Sequence, residues 1–403
     1  MAITRISEPP RPAPPRSALP WQPGHPVWQL GFRPFYLLSA LFAAVSIPLW
    51  LASYFGLTRG VWQVGLGWHM HEMVFGFAVA VVVGFLFTAG RNWTGLPTPQ
   101  GGHLIALVAL WLAGRVAMLA APALAAAAID LLFLPLAAWP LYQVLRRSGN
   151  HRNLFLVGLL ALLTLANGVY HAAQLGWLAL SYFIPVQAAI LIIVLIESVI
   201  GARVIPMFTR NGAPGSAPVA SPKRALAAVV LMAAAGISSI AGAPGLVAAP
   251  LCLAAGAMSL ANLLAWQPQR TLRVPLLWIL HLSYAWIGIG FVLLGAASLH
   301  WLPASAAFHA LTVGSMAGLI IGMMTRTTLG HTGRTLKAGG AETAMYWLVQ
   351  LGAAARLLAA VGPASLAMPM LLAAGLCWSL AFVLYAVTYA PYLWRPRVDG
   401  REG

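Results

Sequence analysis

The octapeptide WHMHEMVF, residues 68–75, places two histidines and a glutamate at the head of a stretch that is otherwise almost wholly apolar as far as Gly90. Imidazole is the commonest side-chain ligand for copper, zinc and haem iron. On a regular helix, residues three or four apart share a face, whereas residues two apart point nearly opposite ways. His69 therefore shares a face with Glu72, a pair suited to a small metal ion. His71 shares its face with Trp68 and Phe75, a setting suited to a flat apolar cofactor. Asn167 and His171 are four apart and also share a face. The metal-ligand candidates are His69, His71, Glu72, His171 and His309. Within this set, His71 and His309 are the expected axial pair for a haem, and Arg115 and Arg356 would neutralise its propionates. The competing account is that the histidines hydrogen-bond helix to helix while the arginines snorkel to the interface.

Three further residues are candidates for moving protons. Glu197 is a carboxylate near the middle of an apolar run, and His281 and Tyr284 share a face of another. An ionisable group inside a membrane bundle is a functional candidate by default, because a charge at the bilayer centre costs about 2.5–3.5 kcal/mol on insertion scales. Glu197 can equally accept a helix–helix hydrogen bond or pair with Arg203, and His281 and Tyr284 can belong to the packing. Asp130 is similarly placed, with Arg115 as an ion-pair partner. The loops RNWTG (91–95) and GHTGR (330–334) read as loop architecture.

The elements that position these residues follow from composition. The chain of 403 residues is 61% hydrophobic and 7% charged, with mean hydropathy +0.84. That is too little charge to cover a soluble domain of this size, so a polytopic α-helical membrane protein is expected. Continuous apolar runs exclude an outer-membrane barrel, whose strands alternate. Twelve runs are expected to span: 34–56, 68–90, 103–121, 123–144, 154–175, 182–205, 225–243, 245–266, 275–299, 304–328, 341–361 and 366–393. Residues 1–30 are expected to form a disordered Pro/Arg-rich cytoplasmic tail, residues 31–394 the membrane domain, and 395–403 a second cytoplasmic tail. Cys252 and Cys377 stand alone, and no CxxCH is present, so covalent haem attachment is not supported; a non-covalent haem, taken as b-type, is the expected cofactor.

The net charge of +16 does not indicate nucleic acid, because the basic residues lie in short loops between apolar runs. With the N-terminus in the cytoplasm, 20 of the 23 Lys and Arg residues fall inside, and only Arg59, Arg115 and Arg356 fall toward the outside. The positive-inside rule thus orients the chain with both termini cytoplasmic. His69, His71, Glu72, His171 and His309 then share one level in the outer leaflet.

An internal repeat is also visible. His71 precedes Gly84 and Thr94-Gly95 at the spacing with which His309 precedes Gly322 and Thr332-Gly333. The sixth run keeps Gly201 and Gly212 in the same frame but has Ala188 in place of the histidine. Arg115 and Arg356 follow in corresponding runs. Three four-helix units are the expected arrangement.

GFRPFY (31–36), WHMHEMVFGF (68–77), GFLFTAGRNWTG (84–95), NGVYH (167–171), ESVIGARVIPMFTRNG (197–212), HLSYAWIG (281–288) and GHTGR (330–334) together resemble the NnrS family, in order, from about residue 30 to 390. The resemblance implies a bacterial inner-membrane protein that contains haem and copper and is associated with nitric oxide and denitrification. Tolerance of nitrosative stress is the implied role, with nitric oxide or a related small molecule as ligand. The architecture is also similar to haem-copper oxidases and nitric oxide reductases, which clamp haem between their second and tenth spans. This chain departs from them at Ala188 and in having one histidine in the tenth run, so their three-histidine copper site is not reproduced. Two rival readings use the same residues: a transporter or metal-trafficking protein, and a sensor that binds nitric oxide without turnover.

Overall fold

The computed structural model describes residues 19–58 and 62–401. Within them twelve helices are long and apolar enough to cross a membrane, and no strand occurs. They are α1 (Phe32–Tyr54), α2 (Leu66–Thr94), α3 (Gly101–Ala120), α4 (Ala123–Arg147), α5 (His151–Gln174), α6 (Phe183–Gly212), α7 (Pro222–Ile240), α8 (Gly245–Ala265), α9 (Pro275–Ser298), α10 (Ala304–His331), α11 (Gly340–Val361) and α12 (Ala364–Trp394). The protein is an all-α membrane protein of twelve spans. In lipid every backbone polar group must be satisfied within the chain, and the helix does this segment by segment. Large apolar side chains such as Leu165 and Val387 lie exposed on the outside of the bundle, where acyl chains replace water as the neighbour.

Short turns carry the chain between neighbouring spans. Pro122, Pro244 and Pro363 each immediately precede a helix, where the fixed φ of proline suits entry. α2 and α10 are the most enclosed spans, and α7 is the least. The chemistry-bearing residues of WHMHEMVF and His309 therefore lie on the two helices at the centre of the bundle.

Those two helices share a feature that apolar periodicity does not reveal. In α2 a regular helical turn runs Leu66–His71, followed by a π-helical stretch, Glu72–Ala78. In α10 the regular turn is Ala304–His309 and the π-helical stretch Ala310–Ala317. His71 and His309 thus each stand at the last residue before the helix widens. The repeat glycines behave alike as well: a Cβ at Gly84 would meet the Phe35 Cβ of α1 at 2.9 Å, and one at Gly322 would meet Leu280 of α9 at 2.8 Å. In both cases the histidine-bearing helix is pressed against the span before it.

Within the expected tail, residues 19–30 are described by the structure. There a 3₁₀ turn, Pro26–Trp28, is held by the Trp28 indole donating to the Pro20 carbonyl at 2.6 Å, and the His25 ring packs on Trp394. Residues 1–18 and Arg59 lie outside the described residues. At the same end of the bundle, buried Arg33 donates to the carbonyls of Leu393 (2.9 Å) and Arg395 (2.8 Å), which ties the start of α1 to the end of α12.

Candidate metal site and cofactor cavity

The first site is a buried polar cluster built by four consecutive spans. α2 supplies His71 and Glu72, α3 supplies Arg115, α4 supplies Asp130, and α5 supplies Asn167 and His171. The Arg115 guanidinium donates to Glu72 Oε1 at 2.6 Å and, through its other terminal nitrogen, to Asp130 Oδ1. His71 Nδ1 lies 2.8 Å from Glu72 Oε1. Its Nε2 faces Asn167 Oδ1 at 2.9 Å and Asp130 Oδ2 at 3.2 Å. The Asn167 amide donates to Asp130 Oδ2 at 2.7 Å, and His171 Nε2 approaches the same oxygen at 3.0 Å.

Local structure makes this convergence feasible. The π-helical turn redirects the chain from Glu72 onward, and its wider bonding frees carbonyls for outside donors. The Trp111 indole donates to one of them, Gly76 O, at 2.9 Å. Gly76 also leaves the space that Arg115 fills, since a Cβ there would lie 2.7 Å from the guanidinium. Asn167 and His171 are one helical turn apart, so both reach Asp130 from the same face of α5.

His71, Asp130 and His171 each offer a ligand atom, and these atoms lie within 4.8 Å of one another. The donor set fits a metal. Two imidazole nitrogens and a carboxylate oxygen are a common ligand set, and a ligating histidine usually passes its other ring N–H to a carboxylate. Glu72 is placed to accept that N–H from His71. Its second oxygen, Oε2, is buried without a partner.

The second site is a cavity of about 510 Å³ enclosed by α1, α2, α6, α10 and α12, with Arg356 of α11 at its wall. That is within the range of about 300–1,000 Å³ typical of small-molecule and cofactor pockets. Its lining is chiefly apolar. Its polar side chains include two histidines, His69 and His309, together with Gln187, Ser305, Thr312 and Arg356. The His69 ring stacks on Trp50 with centroids 4.2 Å apart, and its Nδ1 is buried with no partner. His309 Nδ1 lies 2.6 Å from the Ser305 carbonyl. A carbonyl only accepts, so Nδ1 carries the proton and Nε2 is left with a free lone pair. Arg356 has no hydrogen-bond or ion-pair partner among the described residues. A flat apolar cofactor bearing carboxylates fits this donor set: two uncommitted imidazoles and one uncommitted guanidinium.

The expected site residues are therefore distributed differently from their helical periodicity. His71 sits with Glu72 and His171, and it is not among the residues lining the cavity. His69 shares the cavity with His309 and Arg356. The expected His71–His309 clamp and the Arg115–Arg356 pair are each divided between the two sites. The face assignment of His69 with Glu72 is likewise corrected: Glu72 bonds His71 and Arg115. The reason is that the 3.6-residue period ends at Glu72, and that Arg115 draws the carboxylate toward α3. The Asp130–Arg115 ion pair expected from the sequence forms, and Asp130 is in addition a candidate ligand. Its signal was that of a carboxylate alone in an apolar run.

Glu197, His281 and Tyr284 line neither site. Glu197 Oε2 accepts from Ser315 Oγ at 3.1 Å, within the π-helical stretch of α10, and its Oε1 is buried and unpartnered. Tyr284 OH lies 3.3 Å from Ser198 Oγ, and His281 Nε2 lies 2.8 Å from Thr209 Oγ1. All three side chains thus meet at the packing of α6 with α9 and α10.

No curated protein matches the chain. A family model described as NnrS protein matches residues 26–397. That span takes in both sites and every described helix, so the chain belongs to the NnrS family.

Proposed function

We propose that this protein binds haem in the cavity and a copper ion at the His71–Asp130–His171 cluster, and that it acts on nitric oxide or a related small ligand in the bacterial inner membrane, with both termini cytoplasmic. The observation that carries the reading is the cavity itself, where His69 and His309 present uncommitted nitrogens beside Arg356, which has no partner among the described residues. Bound haem and copper would supply ligand binding and one-electron redox chemistry. The chain's own residues do the rest. The Ser305 carbonyl fixes the His309 tautomer and ring orientation. Trp50 holds the His69 ring by stacking. Arg356 offers a guanidinium to a cofactor carboxylate, a charge-assisted bond favoured in apolar surroundings.

Charge balance supports a monovalent ion at the cluster. Arg115 opposes two carboxylates, Glu72 and Asp130, which leaves one negative charge. A net charge is costly in so enclosed a place. A proton on an imidazole or one cuprous ion each restores neutrality. Glu197, with one free oxygen, and His281 and Tyr284 are candidates for holding protons on the way to the cavity.

The test is an absorption spectrum and metal analysis of detergent-purified protein, followed by addition of nitric oxide. A Soret band that shifts on addition, with copper in the same preparation, is the expected result. Consumption of nitric oxide in the presence of a reductant would mark turnover. Absence of both chromophore and metal, with substrate flux in proteoliposomes, would sink the reading. A second measurement probes the cluster: Glu72→Gln is expected to weaken metal affinity by about 10–100-fold, the usual effect of removing a carboxylate behind a ligating histidine.

A further inference from the structure

One face of α12 carries aromatic residues at alternating spacings of four and three: Trp378, Phe382, Tyr385, Tyr389 and Tyr392. That spacing keeps them in a single stripe along the helix. Trp378 lines the cavity, at one end of the stripe. Its ring lies 4.9 Å from Phe382. Tyr385 follows one turn on, and stacks on Tyr389 with centroids 4.7 Å apart and planes within 4°. Tyr389 meets Tyr392 edge-on at 5.5 Å. The Arg334 guanidinium lies over Tyr392 at 3.9 Å, at the end of the bundle where α12 ends and α11 begins. A row of rings therefore runs from the cavity to that end, with ring contacts on either side of the Phe382–Tyr385 step.

Packing alone does not call for phenols here. Tyr385 and Tyr389 are fully buried, and a buried hydroxyl is costly unless it is hydrogen-bonded. Phenylalanine would fill the same space without that cost. Each hydroxyl instead has a partner: Tyr385 OH lies 3.2 Å from Thr328 Oγ1, and Tyr389 OH donates to Glu342 Oε1 at 2.8 Å. Glu342 is a buried carboxylate at the start of α11, and its other oxygen accepts from the Gly339 N–H at 2.7 Å. A carboxylate on a phenolic proton is the arrangement that lets tyrosine lose an electron without becoming a buried cation.

We propose that this stripe is a one-electron conduit between the cavity and the surface at the Arg334 end. The proposal rests on the cavity holding a redox group. A one-electron oxidant of the nitrogen-oxide radical class, bound in the cavity, takes an electron from Trp378 and is reduced by it, and the vacancy passes across Phe382 to the tyrosines. Trp378 and Tyr385 are seven residues apart, about 10.5 Å along the helix. At Tyr389 the electron leaves and the phenolic proton moves to Glu342, leaving a neutral tyrosyl radical and a protonated carboxyl. A one-electron reductant of the ascorbate or quinol class, reacting at Tyr392, restores the electron. The proton then returns from Glu342 to the phenolate oxygen.

The test supplies its own oxidant, so it does not depend on the cavity's occupant. A photo-oxidant is attached by a flexible tether to a cysteine on the lipid-exposed face of α12 at the level of Trp378, using Leu376→Cys with Cys377→Ser in the full chain, and fired in detergent with an external quencher. Tyrosyl radical is then followed by transient absorption and electron paramagnetic resonance. The parent is expected to form it. The yield is expected to fall by roughly tenfold or more in Tyr385→Phe/Tyr389→Phe, and Glu342→Gln is expected to slow formation by a similar factor, since a charge-assisted proton acceptor is lost. Both changes preserve shape, and unchanged circular dichroism would establish that the variants fold. Ascorbate is expected to quench the parent's radical faster than that of Tyr392→Phe. An oxidation that stops at Trp378 in the parent would overturn the proposal, as would an unchanged tyrosyl yield in the double variant. If the conduit works while purified protein lacks any cavity chromophore, the cofactor reading fails and the conduit stands.

Discussion

Replacing His309 with alanine is expected to abolish the Soret band of the purified protein, and replacing His69 is expected to do the same or to leave a band of altered shape. His71→Ala is expected to keep the band while losing the non-haem metal. This separation follows from the placement of the rings. His309 and His69 line the cavity, whereas His71 is held between Glu72, Asn167 and Asp130 in the neighbouring cluster. Ser305 bonds Nδ1 of His309, so Nε2 is the nitrogen left free to ligate. Substituting His309 with glutamine, which keeps a polar atom but not the imidazole, is expected to fail as alanine does. Absorption spectra and metal analysis on matched preparations decide the matter. A band that vanishes in His71→Ala and survives in His69→Ala would restore the clamp expected from periodicity and remove the one drawn from the cavity.

The largest effect on stability is expected at Arg115. Arg115→Met leaves Glu72 and Asp130 buried together with no cation between them. Removing one partner from a buried ion pair typically costs about 3–5 kcal/mol, because the other charge stays behind uncompensated. Thermal unfolding in detergent is expected to shift markedly downward, and the protein is expected to lose metal at the cluster. Asp130→Asn combined with Arg115→Met is expected to recover much of the loss, since it removes one of the stranded charges. A double-mutant cycle measures that coupling. Additive losses in the double variant would show that the guanidinium acts by packing rather than by charge.

Arg115 is also where sequence and structure part. Its type and its place in an apolar run mark it as costly, and the same reasoning applies to His71, Glu72, Asp130 and Glu197. What those residues hold onto was less legible. Arg115 was paired with Arg356 because both follow histidine-bearing runs at corresponding positions. In the structure the cluster's acids surround Arg115, while Arg356, in the cavity wall, has no partner among the described residues. The repeat kept the helices alike, and the neighbours contributed by α4 and α5 in one half changed what the arginine does. Nor was the α12 stripe singled out: tyrosines at helical spacing look the same in sequence whether they fill a core or line a path.

By itself the sequence determined that this is a membrane protein of twelve apolar helices, that it belongs with the NnrS family, and that a few histidines and acids would be buried at real cost. Hydropathy is local, and each span of about 20 apolar residues declares itself without reference to any other. Only the tertiary structure decided which imidazole faces which compartment. That choice depends on a π-helical turn starting at Glu72 and on carboxylates and a guanidinium meeting from three separate spans. Neither is encoded in any one stretch of chain, because both the widened turn and the ion pairs are stabilised by contacts between separate helices.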